Sequence, residues 1–185
     1  MKLFGTCLTV FLFGLLAIWS GCEDPNPVQL EQEDSLTFEE RLAFEEDSID
    51  LIIESEGYDS VFVTESFLRI IPLREGNGTE AQFGDILTLS ITGELLNGFI
   101  FETTDEALRT GLNYFGTGRE TPVRNLPDPV AVDGLNEALT YMREGSRFKI
   151  FIPSYIGWGS AGIFFFNVGP NRILTYDVSL INIRR

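Results

Sequence analysis

Histidine is absent from this chain of 185 residues, and cysteine occurs only twice. Without histidine there is no Ser-His or Cys-His triad, no histidine zinc ligand and no imidazole to act as the usual general base. Two cysteines are too few for a four-thiolate zinc site. The acidic residues show no loop with the ligand spacing of a calcium site. We therefore expect neither a bound metal nor a cofactor.

Basic residues are also scarce. The chain has 13 Lys and Arg against 28 Asp and Glu, which gives a net charge of −15. Nucleic acids and anionic membrane surfaces attract basic patches, so this balance argues against both as partners. The remaining function classes are those that need neither imidazole nor positive charge.

The first 21 residues have the pattern of a secretory signal peptide. Lys2 precedes a mostly apolar stretch, 3–19, and the small residues Ser20 and Gly21 precede Cys22. Polar residues interrupt the stretch and no stop-transfer pattern follows, so we predict cleavage rather than a membrane span. The small-small-Cys ending resembles the lipobox of bacterial lipoproteins, which implies a lipid anchor on Cys22 in the outer membrane. An ordinary signal peptide with a chance cysteine is the alternative, and the membrane face stays open.

Two further segments precede the main domain. Residues 22–36 are acidic and contain proline, which is typical of a tether. Residues 37–57 have apolar side chains at helical spacing, Thr37 and Glu40 suit a capping box, and Gly57 suits a helix stop. The acidic run 45–47 is expected to be a solvated outer face of this helix.

Residues 58–185 alternate in the manner of β-strands. Apolar residues recur at every second position in 87–91, 148–152 and 174–180, and Asn97-Gly98 suits a hairpin turn. A short helix is expected from Asp133, its predicted cap, to Gly145, whereas the proline-containing stretch 116–129 is expected to be a loop. The fold class is α+β, with an antiparallel sheet wrapped on one short helix behind an N-terminal helical extension.

Four segments together resemble the FKBP-type peptidyl-prolyl cis-trans isomerases. They are, in chain order, GDILTLSITGELLNGFIFETT (84–104), AVDGLNEALTYMREG (131–145), IPSYIGWG (152–159) and PNRILTYDVSL (170–180). The resemblance covers roughly residues 60–185 and implies a half-barrel that forms an apolar pocket for a prolyl ring.

The resemblance also implies a set of site residues. The catalytic set carried over from the family is Phe101, Glu102, Val132, Leu135, Trp158 and Tyr176. Ile91 and the loop residues Phe164, Phe165 and Phe166 are expected to contact substrate. This chain departs from the family pattern at Ile91, Glu102, Leu135, Trp158 and Tyr176, where the family usually has tyrosine, aspartate, tryptophan, tyrosine and phenylalanine.

The implied function is prolyl isomerisation during the folding of exported proteins, with proline-containing polypeptides as partners and a monomeric enzyme. Unaided, an X–Pro bond isomerises in tens to hundreds of seconds, and the reaction moves no proton, so the lack of histidine is no obstacle. An alternative is a weakly active or inactive FKBP-type lipoprotein of the cell envelope that binds peptides or a partner. A purely structural lipoprotein is a third, which would fit if Phe164–Phe166 were buried against the N-terminal helix and no cavity remained.

Overall fold

The structure, a computed structural model, describes residues 36–111 and 123–185. The predicted signal peptide, Cys22 and nearly all of the predicted tether lie outside the described residues. Thr37–Arg185 form one compact unit. The domain boundaries inferred from the sequence stay a prediction. Within the described ranges no helix is both long and apolar enough to cross a membrane.

The N-terminal helix, α1, spans Phe38–Glu56. Thr37 caps it as predicted: the Glu40 N–H donates to the Thr37 hydroxyl over 3.3 Å, and the Thr37 N–H donates to the Glu40 carboxylate over 2.9 Å. The Thr37 N–H and the Thr37 hydroxyl both donate to the Glu40 carboxylate, and these two hydrogen bonds lower the pKa of Glu40. At the other end Gly57 adopts φ +71°, a left-handed conformation that glycine adopts without a Cβ penalty. The predicted capping box and helix stop are confirmed.

In the part of the chain that the structure describes, seven antiparallel strands form one unclosed sheet. They are β1 (Phe62–Val63), β2 (Arg69–Arg74), β3 (Ile86–Leu95), β4 (Ile100–Thr103), β5 (Val123–Asn125), β6 (Arg147–Ile152) and β7 (Leu174–Arg184). Their order across the sheet is β1-β2-β6-β7-β3-β4, and β5 also pairs with β3. The longest pairing joins β3 to β7, from Ile86 opposite Arg184 to Leu95 opposite Leu174. The α+β half-barrel predicted from the sequence is confirmed.

Four details of the secondary structure differ from the sequence-based expectations. The predicted loop 116–129 contains β5, and a short helix, α2 (Glu106–Gly111), follows β4. The central helix, α3, spans Asp133–Thr140, so it ends five residues before Gly145. Its N-cap is Val132 and no side chain caps it, so the predicted capping by Asp133 is wrong. Gly145 instead takes φ +91° in the turn that leads into β6.

The main core lies between the inner face of the sheet and α3. Alternate residues of β3 and β7 point into it, including Leu87, Leu89 and Ile91 on β3. Leu135 and Leu139 contribute the helix side, as the sequence predicted, and Met142, which follows the helix, packs in the same core. Burying large aliphatic side chains contributes about 1.5–3 kcal/mol each, so this layer fixes the position of α3 under the sheet.

A second, smaller core lies on the outer face of the sheet. It joins Ile49 and Ile53 of α1 to Ile71, Phe151 and Ile173. The acidic run of α1 is not a solvated face throughout, as the sequence had suggested. Glu45 is buried and accepts a hydrogen bond from the Ser154 N–H over 2.7 Å. The spacing 45, 49, 53 places Glu45 on the apolar stripe of the helix, a signal that the charge pattern obscured.

Candidate functional site

An aromatic cluster marks the inner surface of the half-barrel. The ring of Phe101 lies 5.2 Å from Trp158 and 5.5 Å from Tyr176, both in edge-to-face geometry. Phe166 lies 6.2 Å from Phe101 and stacks on Trp158 at 5.5 Å. Edge-to-face and offset-stacked pairs are the favoured aromatic geometries. We call Phe101, Trp158 and Tyr176 the aromatic cup, and the Phe166 ring packs against it.

Gly93 explains how two of these rings fit against the sheet. It lies on β3 opposite Tyr176 on β7 and opposite Glu102 on β4. A Cβ atom at this position would lie 2.5 Å from Cε2 of Phe101 and 2.7 Å from Cε1 of Tyr176. The absent side chain therefore provides the space in which Phe101 and Tyr176 pack.

The floor of the cup is aliphatic. Ile91 and Leu135 are fully buried, and Val132 is buried at the N-cap of α3. The helix approaches the sheet closely at Gly134, where a Cβ would lie 2.5 Å from Cγ2 of Ile152. The sequence-based set is thus brought into one core at Ile91, Phe101, Val132, Leu135, Trp158 and Tyr176.

Trp158 reaches the cup from a segment of short 3₁₀ turns, Ser154–Ile156 and Gly159–Ala161. Two hydrogen bonds hold the first of these turns from outside the half-barrel. The Ser154 N–H donates to the Glu45 carboxylate, and the Tyr155 hydroxyl donates to the Ser66 carbonyl over 2.8 Å. Burial, followed by nearby carboxylates such as that of Glu137, raises the pKa of Tyr155, which keeps this donor protonated. The segment that carries Trp158 is therefore held by α1 and by the turn between β1 and β2.

The three consecutive phenylalanines form a third 3₁₀ turn, Phe164–Phe166. Phe164 is 100% exposed and Phe165 is 59% exposed, whereas Phe166 is 8% exposed and belongs to the main core. The condition for a purely structural lipoprotein, burial of all three rings against α1, is therefore not met. The turn places one ring inside the cup and two at its surface.

Glu102 belongs to a buried ion-pair network rather than to the aromatic cluster. Its carboxylate pairs with the Arg124 guanidinium, and Arg124 Nη1 lies 3.7 Å from Oδ2 of Asp128. Asp128 accepts from the Val130 N–H over 3.0 Å, and its own N–H donates to Asn136 of α3 over 2.8 Å. The network ties β4 and β5 to the loop that leads into α3. Sequence analysis missed Arg124 because it lies in a stretch with three prolines and no strand periodicity.

The cup is chemically apolar. The described residues hold no group of three His, Cys, Asp or Glu side chains arranged to bind a metal ion. Ile91, Phe101, Leu135 and Trp158 offer no ionisable group, and Tyr176 adds only a phenolic hydroxyl, so the cup suits an apolar, non-ionic ligand group. Its chemistry is desolvation and shape, with the Trp158 indole N–H as a hydrogen-bond donor.

The comparisons with known proteins agree with this geometry. Residues 77–181 match the family described as FKBP-type peptidyl-prolyl cis-trans isomerase. The chain is 26% identical over 113 residues to "Peptidyl-prolyl cis-trans isomerase Mip" of Coxiella burnetii, covering 61% of this chain and 43% of that protein. It is 26% identical over 125 residues to "Outer membrane protein MIP" of Legionella longbeachae, covering 68% of this chain and 48% of that protein.

The fold has a solved counterpart. A peptidyl-prolyl cis-trans isomerase from Pseudomonas syringae pv. tomato superposes with a TM-score of 0.57 at 18% identity, covering 89% of this chain and 100% of that one. The alignments with the two Mip proteins span under half the length of each. Because the matched segment is more than half of this chain and contains the aromatic cup together with β3 to β6 and most of β7, the chain belongs to the FKBP-type peptidyl-prolyl cis-trans isomerase family.

Proposed function

We propose that this protein is a peptidyl-prolyl cis-trans isomerase that acts on proline-containing polypeptides. The observation that carries the proposal is the aromatic cup: Phe101, Trp158 and Tyr176 meet at 5.2–5.5 Å on the inner face of a half-barrel of this family. A prolyl ring is apolar and smaller than these aromatic side chains, so it can pack against them. The cup therefore suits the one side chain that this reaction must hold.

The mechanism needs only desolvation and shape. The planar X–Pro imide is polar because of C–N resonance, and twisting it towards the transition state removes that resonance over a barrier of about 18–20 kcal/mol. The twisted carbonyl carries less negative charge, so an apolar site favours it over the planar ground state. A 10³–10⁵-fold acceleration requires only about 4–7 kcal/mol of such preference.

Hydrogen bonds to the peptide backbone would fix the twisted geometry. The first turn of α3 begins at Val132, and N–H groups in a first helical turn lack intrahelical acceptors. We propose that Val132 presents its backbone N–H to the peptide and that the Trp158 indole N–H is a second donor. Glu102 acts at a distance in this scheme, by holding the loop before α3 through Arg124.

The test is two-dimensional exchange NMR on a Leu-Pro tetrapeptide with the full chain. We expect the wild type to accelerate cis–trans exchange and Phe101→Leu, which keeps an apolar side chain but removes the ring, to reduce this acceleration at least tenfold. Phe83→Leu is the matched control, because Phe83 is exposed and outside the core. An exchange rate equal to that in buffer, from wild-type protein with a cooperative melting transition, would refute the proposal.

A binding module without catalysis is the second candidate. It is favoured by the burial of Phe101, which is 1% exposed, and by the replacements at Ile91, Leu135 and Trp158. This candidate predicts saturable binding of the tetrapeptide in calorimetry together with unaccelerated exchange. Binding and catalysis measured on one preparation separate the two functions.

We further propose that the protein is a monomer anchored in the outer membrane of the cell envelope through lipid on Cys22, where it assists folding of exported proteins. The small-small-Cys sequence supports the anchor, and one relative carries the name of an outer membrane protein. Metabolic labelling with a radioactive fatty acid should mark the wild type and not Cys22→Ser. Label retained by Cys22→Ser would exclude this anchor, and sedimentation of detergent-solubilised protein tests the monomer.

A further inference from the structure

The aromatic cup is already occupied in the structure. Phe101 is the residue most expected to touch a substrate proline, yet it is only 1% exposed, and Ile91, Leu135 and Tyr176 are equally buried. The ring of Phe166 lies 6.2 Å from Phe101 and stacks on Trp158. A prolyl ring that contacts Phe101 and Trp158 requires space that Phe166 now fills. Binding therefore requires Phe166 to move.

We propose that Phe166 is an internal competitor: it occupies the prolyl position of the resting protein, and each substrate must displace it. This inference rests on the proposed isomerase function. Phe166 suits such a role because its ring is apolar and packs favourably on aromatic neighbours. The Phe165–Phe166 peptide is a secondary amide and strongly prefers the trans form, so Phe166 occupies the cup without being a substrate.

The turn that carries Phe166 is built to open locally. Its base is closed by two backbone hydrogen bonds between Ile163 and Val168, of 2.8 and 3.1 Å. Between them the turn buries only the Phe166 ring, because Phe164 and Phe165 are exposed. Segments with few buried contacts open at low free energy while the rest of the fold stays intact. Lifting Phe166 therefore leaves the sheet and α3 unchanged.

The competition has a defined thermodynamic signature. When the competent state is only a fraction of the population, the observed Kd is the intrinsic Kd divided by that fraction. Removing the Phe166 ring makes the open state dominant and lowers Kd and KM. The twisted imide is bound after Phe166 has left, so removal of the ring acts on Kd and KM. Removing the Phe166 ring should lower Kd by the same factor for every peptide. The reason is that Phe166 leaves the cup before the residue that precedes proline makes contact with the protein.

The experiment uses the full chain with Trp19→Phe, which leaves Trp158 as the single tryptophan and a direct reporter of the cup. Leu-Pro and Ala-Pro tetrapeptides are titrated by fluorescence, and exchange is measured by NMR. For Phe166→Ala we expect Kd and KM to fall about tenfold for both peptides. Phe164→Ala removes the same ring from the exposed end of the turn and is expected to weaken binding.

Phe166→Leu keeps a smaller apolar side chain and is expected to lower Kd by roughly threefold, which provides the test if Phe166→Ala does not fold. Binding by Phe166→Ala or Phe166→Leu that is equal to or weaker than the wild type, in an active protein, would overturn the competitor and make Phe166 a wall of the site. A change in Kd that differs between the Leu-Pro and Ala-Pro tetrapeptides would also overturn the competitor. Absence of binding and exchange in every variant would instead refute the proposed function, and the competition with it.

Discussion

Glu45 of the N-terminal helix accepts a hydrogen bond of 2.7 Å from the Ser154 N–H, in the turn that leads to Trp158. The two residues are 109 positions apart in sequence, and both are buried. Phe38 reinforces the contact by packing edge-to-face on Tyr155 at 5.5 Å. The helix that precedes the half-barrel is therefore part of the support of the aromatic cup.

The first prediction concerns this hydrogen bond. Glu45→Ala should lower the free energy of unfolding by about 1.5–3 kcal/mol, because it leaves a buried N–H without its charged acceptor. Glu45→Gln retains an acceptor oxygen and should recover part of the loss. Asp47→Asn, on the exposed side of the same helix, is the control and should change stability by under about 0.5 kcal/mol. Urea unfolding measures all three, and equal stabilities for Glu45→Ala and Asp47→Asn would contradict the role.

The second prediction concerns the space beneath the cup. Gly93→Ala should cost about 1–3 kcal/mol of stability and abolish the acceleration of prolyl exchange, because the new Cβ overlaps the rings of Phe101 and Tyr176. Gly169→Ala is the matched control: the nearest atom to its Cβ would be Arg172 Nε at 3.7 Å, which is ordinary contact. Thermal melting and NMR exchange give the two readouts. Full activity in Gly93→Ala would contradict the packing argument.

The third prediction concerns the buried ion pairs. Arg124→Met should destabilise by about 3–5 kcal/mol, because Glu102 is then left buried without its partner. The double variant with Glu102→Gln should recover a large part of that loss, since both ends of the pair are then neutral. The control is the exposed pair Arg143–Glu80, whose N–O distance is 2.8 Å. Arg143→Met should cost under about 1 kcal/mol. Urea unfolding measures the stability of each variant. If the double variant loses the sum of the losses of Arg124→Met and Glu102→Gln, the result would argue against direct pairing of Arg124 with Glu102.

The fourth prediction concerns alkaline pH. Burial, then a hydrogen bond to Glu56 and the charges of Glu56, Asp177 and Glu94, raise the pKa of Tyr58 to about 12. The unfolded chain loses this proton first, near pH 10, so the contribution of the neutral phenol is complete below pH 10 and is lost as the pH rises to about 12. We expect the free energy of unfolding to fall by about 1–2 kcal/mol over this pH range, after allowing for solvent screening.

Tyr58→Phe should remove this part of the alkaline loss, because its ring cannot ionise. Tyr141→Phe, at an exposed position, is the control for the removal of a hydroxyl. Melting temperatures of the three proteins at pH 9 and pH 11.5 provide the measurement. If the melting temperature fell more between pH 9 and pH 11.5 for Tyr58→Phe than for the wild type, the predicted effect of Tyr58 ionisation on stability would be wrong.

Local sequence was enough to predict the elements that depend on neighbouring residues. Thr37 and Glu40 lie three positions apart and cap α1 by themselves, and Asn97-Gly98 forms the turn between β3 and β4, with Gly98 at φ +81°. Alternation along β3 predicted its buried face correctly at Leu87 and Leu89. These patterns report helical and strand periodicity directly, so they require no knowledge of the fold.

Other features could not be predicted in this way because distant segments create them. Val123–Asn125 became a strand only because β3 offers it an edge beside β4, and the nearby prolines suggested a loop. Glu45 looked solvated because its neighbours are acidic, but Ser154 lies above it. Of three identical adjacent rings, the sequence could not select Phe166 as the buried one.

The sequence by itself determined the family resemblance, the order of the strands along the chain and the residue types of the cup, because these depend on identity and spacing. The tertiary structure decided that Phe166 fills the cup, that Glu102 pairs with Arg124 and that α1 supports the turn before Trp158. The physical reason is that burial and pairing are properties of contacts between residues far apart in sequence. The periodicity of one segment reports which face is buried, but not which partner covers it.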